Sequence, residues 1–508
     1  MTIVLTQPPT THVRRPSFTL RTFNSDIGHR TSCIEAPLET PAITTVTGKS
    51  RSRPSLPAEL HLEIIDLIAR RVPQSPCRNE PYDPRDLDTL CVCALVCKLW
   101  LNTARIGIWQ GVRLSGRKRS MAFIRLLRAY VREPGDSLPT WTIPSLGRYV
   151  AHLSVRETRG NAWGPKWLDD ALPDLATHLP RVRSLEVERV TWEYLSSRSR
   201  TACLRAFKYA RHLTLRGFMF HTTRDMCSFL GEFTKLEVLT LDGVHCAKKN
   251  TPTWHFDSEV DGERSIKLPP RGLKEVGFRD VPMEAVLEWI MAGSEYQREV
   301  GKLGSGIRIK SVRMGGVGVS EANIVGKFLR GVGDSLRKVH IGFGTDFVER
   351  GGEYRTVNGI GVSTDHGRRV DTLVKEMELA ENTNLEEFHI FGLVVPSPPP
   401  ADSFEQESRP PQRALEALTL LLSQIRSRMR VLSLALCPAD LHAMSVIDFE
   451  GLTRVFEKRV WSYLDEVRVF ISNKGESELG KVVKERLGVL HERGVLKIDV
   501  GFDEREVL

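Results

Sequence analysis

The sequence predicts an α/β protein in two parts, a short N-terminal helical module followed by a long, irregular solenoid of parallel strands and helices. Three observations predict it. Amphipathic helical periodicity begins abruptly at Leu56 and runs in two stretches to about Ala104. From Val150 onward a short pattern recurs: apolar, two variable residues, apolar, one variable, apolar. Helix-like segments separate its occurrences down to the C-terminus.

Composition sets outer bounds. A chain of 508 residues is too long for one ordinary core. The formal charge of +9 permits an acidic partner without arguing for one. The tightest basic run, Arg117-Lys118-Arg119, is three residues long, so no nucleic-acid partner is expected. No stretch approaches the roughly 20 apolar residues of a membrane span, so no membrane partner is expected either. The N-terminus lacks a secretory pattern. Its arginines 14, 15, 21 and 30 faintly suggest a transit peptide, but the prolines at 8, 9 and 16 oppose the helix one needs. Nine scattered cysteines and the lack of an N-glycosylation sequon suggest a reducing compartment, cytoplasmic or nuclear.

Residues 1–53, rich in Thr, Ser, Pro and Arg, are expected to be a disordered tail. The first helix is expected from Pro57 to Arg71, with Ser55 as cap, Glu59 in the first turn and Pro73 as terminator. Its Leu60, Ile64, Leu67 and Ile68 share a face. A second helical stretch, Leu87–Ala104, is apolar around most of its circumference. Such a helix needs cover on two sides, and in so small a module one side calls for a partner. Residues 115–149 are expected to be a helical linker, with an amphipathic helix at Met121–Tyr130.

The strand pattern appears about eleven times, from Val150/Leu153/Val155 through Leu239/Leu241 and Val339/Ile341 to Val495/Ile498/Val500. Its last two apolar residues lie two apart, on one side of a strand. No such unit buries its face alone, whereas stacking does it, which is the leucine-rich-repeat solution for residues 150–508. The spacing of 26 to 49 residues makes the array degenerate, with insertions at 248–270, 345–369 and 396–411. A doubly wound sheet also alternates strand and helix. It is disfavoured because so many strands exceed an ordinary open sheet and no glycine-rich first turn marks a nucleotide crevice. Residues between the last two apolar positions face away from the repeat core: Glu186, Thr214, Thr240, Gly277, Arg313, His340, His389, Ser433, Arg468 and Asp499. Of these, Arg313, His340 and His389 are the candidate contacts for a bound protein.

Chemical motifs are weak. Cys91, Cys93 and Cys97 crowd one stretch, Cys93 and Cys97 on one helical face, without the second ligand pair of a zinc site. Thr47–Ser50 lacks the first glycine of a phosphate loop, and Gly315–Ser320 is not a dinucleotide fingerprint. No catalytic set, metal site or cofactor is expected.

Residues 56–114 resemble an F-box. Leu56, Pro57, Glu59, Leu60, Glu63, Ile64, Ile65 and Ile68 fill the places of the family's opening. Leu95-Val96-Cys97-Lys98 with Trp100 matches its second half, and Trp109 with Leu114 its ending. The loop between the halves, 74–86, is longer than the family's. The resemblance implies a three-helix domain at 54–114 that docks on a Skp-type adaptor and through it a cullin. By matching position it implies adaptor contacts from Leu56, Pro57, Glu59, Ile64, Leu95, Val96 and Trp100; Trp100 alternatively holds the helices together. It further implies a non-catalytic substrate-recognition subunit of a ubiquitin ligase, ubiquitin transfer falling to other subunits. A scaffold that recruits partners without ubiquitination, or a catalytic α/β domain fused to an F-box, are the alternatives.

Overall fold

The computed structural model describes residues 58–71, 84–129, 146–157, 166–248, 266–300, 306–317, 319–343, 376–377, 379–395, 413–438, 441, 443–444, 447–471 and 477–501. The expected tail, residues 74–83 of the loop expected at 74–86, the bodies of the three insertions and most of a helix expected at 370–379 lie outside them, as do Ser55, Leu56 and Pro57; residues 84–86, expected as loop, are helical.

Three helices come first among the described residues: α1 (Ala58–Arg71), α2 (Pro84–Val96) and α3 (Lys98–Trp109). The stretch expected as one helix over 87–104 is thus two. Cys97 is extended (φ −159°, ψ 168°) and ends α2 one residue before α3 begins. Cys93 and Cys97 consequently do not share a helical face.

A twelve-stranded sheet follows, every neighbouring pair parallel. Its strands are β1 (Gly111–Ser115), β2 (His152–Arg156), β3 (Ser184–Glu188), β4 (His212–Arg216), β6 (Val238–Asp242) and β8 (Glu275–Arg279), then β9 (Ser311–Val317), β10 (Lys338–Phe343), β11 (Glu387–Val395), β12 (Val431–Pro438), β13 (Glu466–Ile471) and β14 (Leu496–Val500). They lie side by side in chain order, without the reversal that defines a doubly wound sheet. Between β4 and β8, β5 (Met219–Thr222) and β7 (His245–Lys248) form a separate parallel pair that the sequence pattern did not signal.

The register explains why the six-residue pattern recurs. Leu153, Leu185, Leu213, Leu239, Val276, Val312, Val339, Phe388, Leu432 and Val467 pair in one unbroken row across ten strands. All are 2 % exposed or less. With aliphatic side chains worth about 1.5–3 kcal/mol each on full burial, this row and its companion two residues later are the main cohesive element of the fold. The last unit departs from expectation. Leu496 and Ile498 pair with Val467 and Val469, so Lys497, not Asp499, sits beside Arg468.

Residues 111–114, read as the end of the helical module, form the first strand together with Ser115, read as the start of the linker, and pair with β2. The helix expected as linker, α4 (Gly116–Ala129), buries Phe123, Ile124 and Leu127 in the sheet's own core. The boundary between the two cores therefore falls near residue 110. Gln110 joins them: its carbonyl accepts from the Ala151 and His152 amides (3.0 and 2.9 Å).

Helices fill the core side. They include α5 (Lys166–His178), α6 (Ser197–Phe207), α7 (Thr223–Gly231), α8 (Met283–Val300) and α9 (Val319–Val332). α6 has an N-cap: the Ser199 amide donates to Ser196 Oγ (3.3 Å). The residue after each of β3, β4, β6 and β8 is left-handed: Arg189 (φ 60°), Gly217 (54°), Gly243 (62°) and Asp280 (50°). There the chain must leave the sheet in one residue, and glycine does so without the cost a side chain incurs.

Candidate functional site

The helical module has its own small core. Ile65 and Ala69 from α1, Leu90 and Cys93 from α2, and Ala104 from α3 are buried together. Trp100 packs against them partly buried and meets His61 edge-on (centroids 5.1 Å). α1 and α3 touch closely at Gly107, where a Cβ would stand 2.7 Å from Ala69 Cβ.

With that core filled, a second set of aliphatic residues faces solvent. Leu60, Ile64 and Leu67 on α1 are 43 %, 48 % and 52 % exposed. Val92, Leu95 and Val96 on α2 are 63 %, 84 % and 58 % exposed. α1 is apolar on two faces, one built around Ile65 and Ala69 and the other around Ile64. Of the sequence-derived contacts, Ile64, Leu95 and Val96 belong to this exposed set, Glu59 is exposed in the first turn of α1, and Trp100 lies against the core. Leu60, Leu67 and Val92 were not among those contacts. The i, i+4, i+7 spacing of Leu60, Ile64 and Leu67 was their signal.

The second candidate surface is the open face of the sheet, turned away from the core. Arg313 is exposed there. His340 and His389, expected as exposed contacts, are instead stacked on one another, centroids 4.0 Å apart and planes 17° apart. Adjacent parallel strands in register bring their rings together (His340 opposite His389), and Phe391, fully buried, lies alongside both with its ring nearly parallel to theirs (6.2 and 6.3 Å). His389 Nδ1 is 2.8 Å from Ser433 Oγ. Burial pushes His340 down to about 3, with help from His389, Arg313 and Lys338. Burial also pushes His389 down to about 4, although Glu387 at 3.8 Å opposes this. Both rings are neutral at physiological pH. They are structural neighbours first and contacts for a ligand only at their rims.

Charges elsewhere on the open face are mostly paired. Arg156 meets Glu188 (3.2 Å), Arg216 Glu186 (3.6 Å), Arg279 Asp242 (3.7 Å) and Lys338 Glu387 (2.6 Å). Glu466 accepts from Arg468 (2.8 Å) and pairs with Lys497 (2.5 Å), which lower it to about 2.

A cleft of about 380 Å³ opens on the helical side, lined by Trp192, Glu193, Arg200, His221, Asp225 and Phe229 among others. Several of its polar groups are engaged with one another or with neighbours. His221 Nδ1 lies 2.9 Å from Glu193, and Asp225 forms a capping box with Thr222 at the start of α7. Among the described residues, no group of three or more His, Cys, Asp or Glu is placed to hold a metal ion, and no helix is long and apolar enough to cross a membrane.

No family model matches the sequence, and no curated protein does. Among solved structures, a protein from Bacteroides fragilis aligns over 78 % of this chain and 74 % of its own at 10 % identity, with a TM-score of 0.29. A likeness at that level carries no argument for fold or function.

Proposed function

We propose that the helical module is an F-box that docks on a Skp-type adaptor. The remainder, read as a degenerate leucine-rich-repeat solenoid, then holds a protein target on its open face. The chain would thus be a non-catalytic substrate-recognition subunit of a Skp–cullin–F-box ubiquitin ligase. The observation that carries this reading is the exposed aliphatic set Leu60, Ile64, Leu67, Val92, Leu95 and Val96, on a module whose own core is already complete. Large aliphatic side chains left this exposed on two neighbouring helices are the kind of residue that interaction surfaces use. Burying six half-exposed aliphatic side chains supplies on the order of 5 kcal/mol toward a complex. The solenoid reading is supported by chain-order parallel pairing and by the buried row that crosses ten strands.

The test is co-purification of the full chain with a Skp-type adaptor. Ile64→Asp with Leu95→Asp should abolish it while leaving the melting curve of the chain unchanged. An unaltered chain that fails to bind the adaptor refutes the F-box reading. A scaffold role without degradation is separated from a ligase role by proteasome inhibition: targets of a ligase subunit accumulate, partners of a scaffold do not.

A further inference from the structure

At the start of each strand from β3 to β13 the apolar residue that opens the six-residue pattern is buried, and its two chain neighbours emerge on either side of it. From β3 to β13 these neighbours form two rows along one edge of the sheet. The row after the buried residue is tied together by backbone hydrogen bonds, each amide donating to the carbonyl of the equivalent residue one strand earlier: Arg211 to Arg183, Glu237 to Arg211, Lys274 to Glu237, Lys310 to Lys274, Arg337 to Lys310. Glu386, Arg430 and Asp465 continue it. Its cations are thus Arg183, Arg211, Lys274, Lys310, Arg337 and Arg430. The row before the buried residue adds Arg181, Lys235, Arg308 and Arg428. Ten cations face three carboxylates, Glu237, Glu386 and Asp465, an excess of seven in a chain whose formal total is +9.

The cationic heads form the outer layer. Arg211 and Lys274 are 57 % and 51 % exposed over Glu237 at 27 %, and Arg337 is 48 % exposed over Glu386 at 35 %. Arg181, Arg183, Arg308 and Lys310 are exposed and have no carboxylate within 4.0 Å among the described residues. Eight steps between strands at roughly 4.8 Å make the stripe roughly 38 Å long, the span of about twelve extended residues.

We propose that this edge of the sheet is a docking surface for an extended acidic polypeptide segment. The charge excess selects an anionic partner. The three carboxylates select a polypeptide over a polynucleotide. They interrupt the stripe, and a chain of varied residues can put a neutral or basic group opposite each one, whereas a phosphate backbone cannot. Aromatic platforms for bases are also scarce here. Tyr463 lies under Arg428 (4.8 Å), Tyr209 carries Lys208 (4.7 Å), and the His340–His389 stack is turned in on itself. The surface is separate from the aliphatic set on α1 and α2, so this inference stands whether or not the module binds an adaptor.

The test uses the full chain and a fluorescein-labelled peptide of alternating Glu and Ser, about fourteen residues long to span the stripe. Fluorescence anisotropy is read at roughly 50 and 300 mM salt, either side of physiological screening. Binding is expected at low salt, weakened at high salt, and reduced about tenfold or more by R308E with K310E. K484E with R486E, the same charge change on the exposed side of the helix Ser477–Arg486, should alter it less than about twofold, since distant exposed charges are screened. If the edge variant melts early, R308Q with K310Q replaces it and must still weaken binding. Equal loss in the two charge-matched variants, no binding by the unaltered chain, or tighter binding of a poly-uridylate strand of the same length would each overturn the proposal, the last in favour of a nucleic acid.

Discussion

The stacked histidines make the fold acid-sensitive by an amount that can be worked out. Burial holds His340 at about 3, against an ordinary value of 6.5. Its folded value is depressed, so the unfolded chain binds the proton first. The stability contributed by a neutral His340 is complete above pH 6.5 and is lost as pH falls from there toward about 3. At pH 5 the unfolded chain has gained about 2 kcal/mol from protonating this one ring, while the folded ring is still neutral. The groups that face it offer no rescue: Arg313 on β9 and Lys338 on its own strand are cations, and His389 on β11 stacks on it. Glu387 lies nearer His389 (3.8 Å) and blunts that residue's share. The substitution His340→Gln keeps a polar side chain of similar reach and removes the titration. Urea midpoints of the unaltered and substituted chains at pH 7 and pH 5 give the comparison. The substituted chain should lose about 2 kcal/mol less between the two pH values. Parallel losses would refute the claim that His340 is partly buried and neutral in the folded protein.

Three further outcomes follow from the packing. Leu90→Ala, at a position with no exposure, should cost about 2–5 kcal/mol by denaturant titration, whereas Leu95→Ala, 84 % exposed on the same helix, should shift stability by less than about 0.5 kcal/mol. Gly217→Ala should cost about 1–2 kcal/mol through its left-handed backbone alone, because a Cβ there meets nothing nearer than 3.5 Å; an unchanged midpoint would show that the turn relaxes. Trp289 is fully buried and its indole N–H donates to the Lys267 carbonyl (2.9 Å), so Trp289→Phe should cost at least the roughly 1–3 kcal/mol of an orphaned buried acceptor, read as a lower thermal midpoint.

The sheet was legible because one chemical requirement repeats. Each strand needs two inward apolar residues and one at its start, and Leu213, Leu215 and Ala210 state that requirement as plainly as Val467, Val469 and Leu464 do. The alternation also placed Arg313 on the open face. What the alternation does not encode is a neighbour's identity. His340 and His389 are 49 positions apart, and only their register brings the rings together. The basic edge was invisible for the same reason: Lys274, Lys310 and Arg337 are dispersed along the chain and adjacent only across strands. The break at Cys97 was missed because Leu87–Ala104 is apolar enough to continue as one helix. The pair β5–β7 was missed because its strands, four residues each, are too short to show a period.

The junction at Gln110 has a geometric consequence. α3 passes into β1 with a single residue between them, and that residue's carbonyl is already committed to the next strand. The two cores are thus joined through one residue that belongs to the sheet's hydrogen-bond ladder. Counted from that junction, the strand's ordinal number becomes a ruler graduated at roughly 4.8 Å. A ligand seated across β9 and β10 is six to seven graduations from the first strand. Inserting or deleting one strand-and-helix unit between β2 and β8 would change the reach of the molecule by one division without altering either surface.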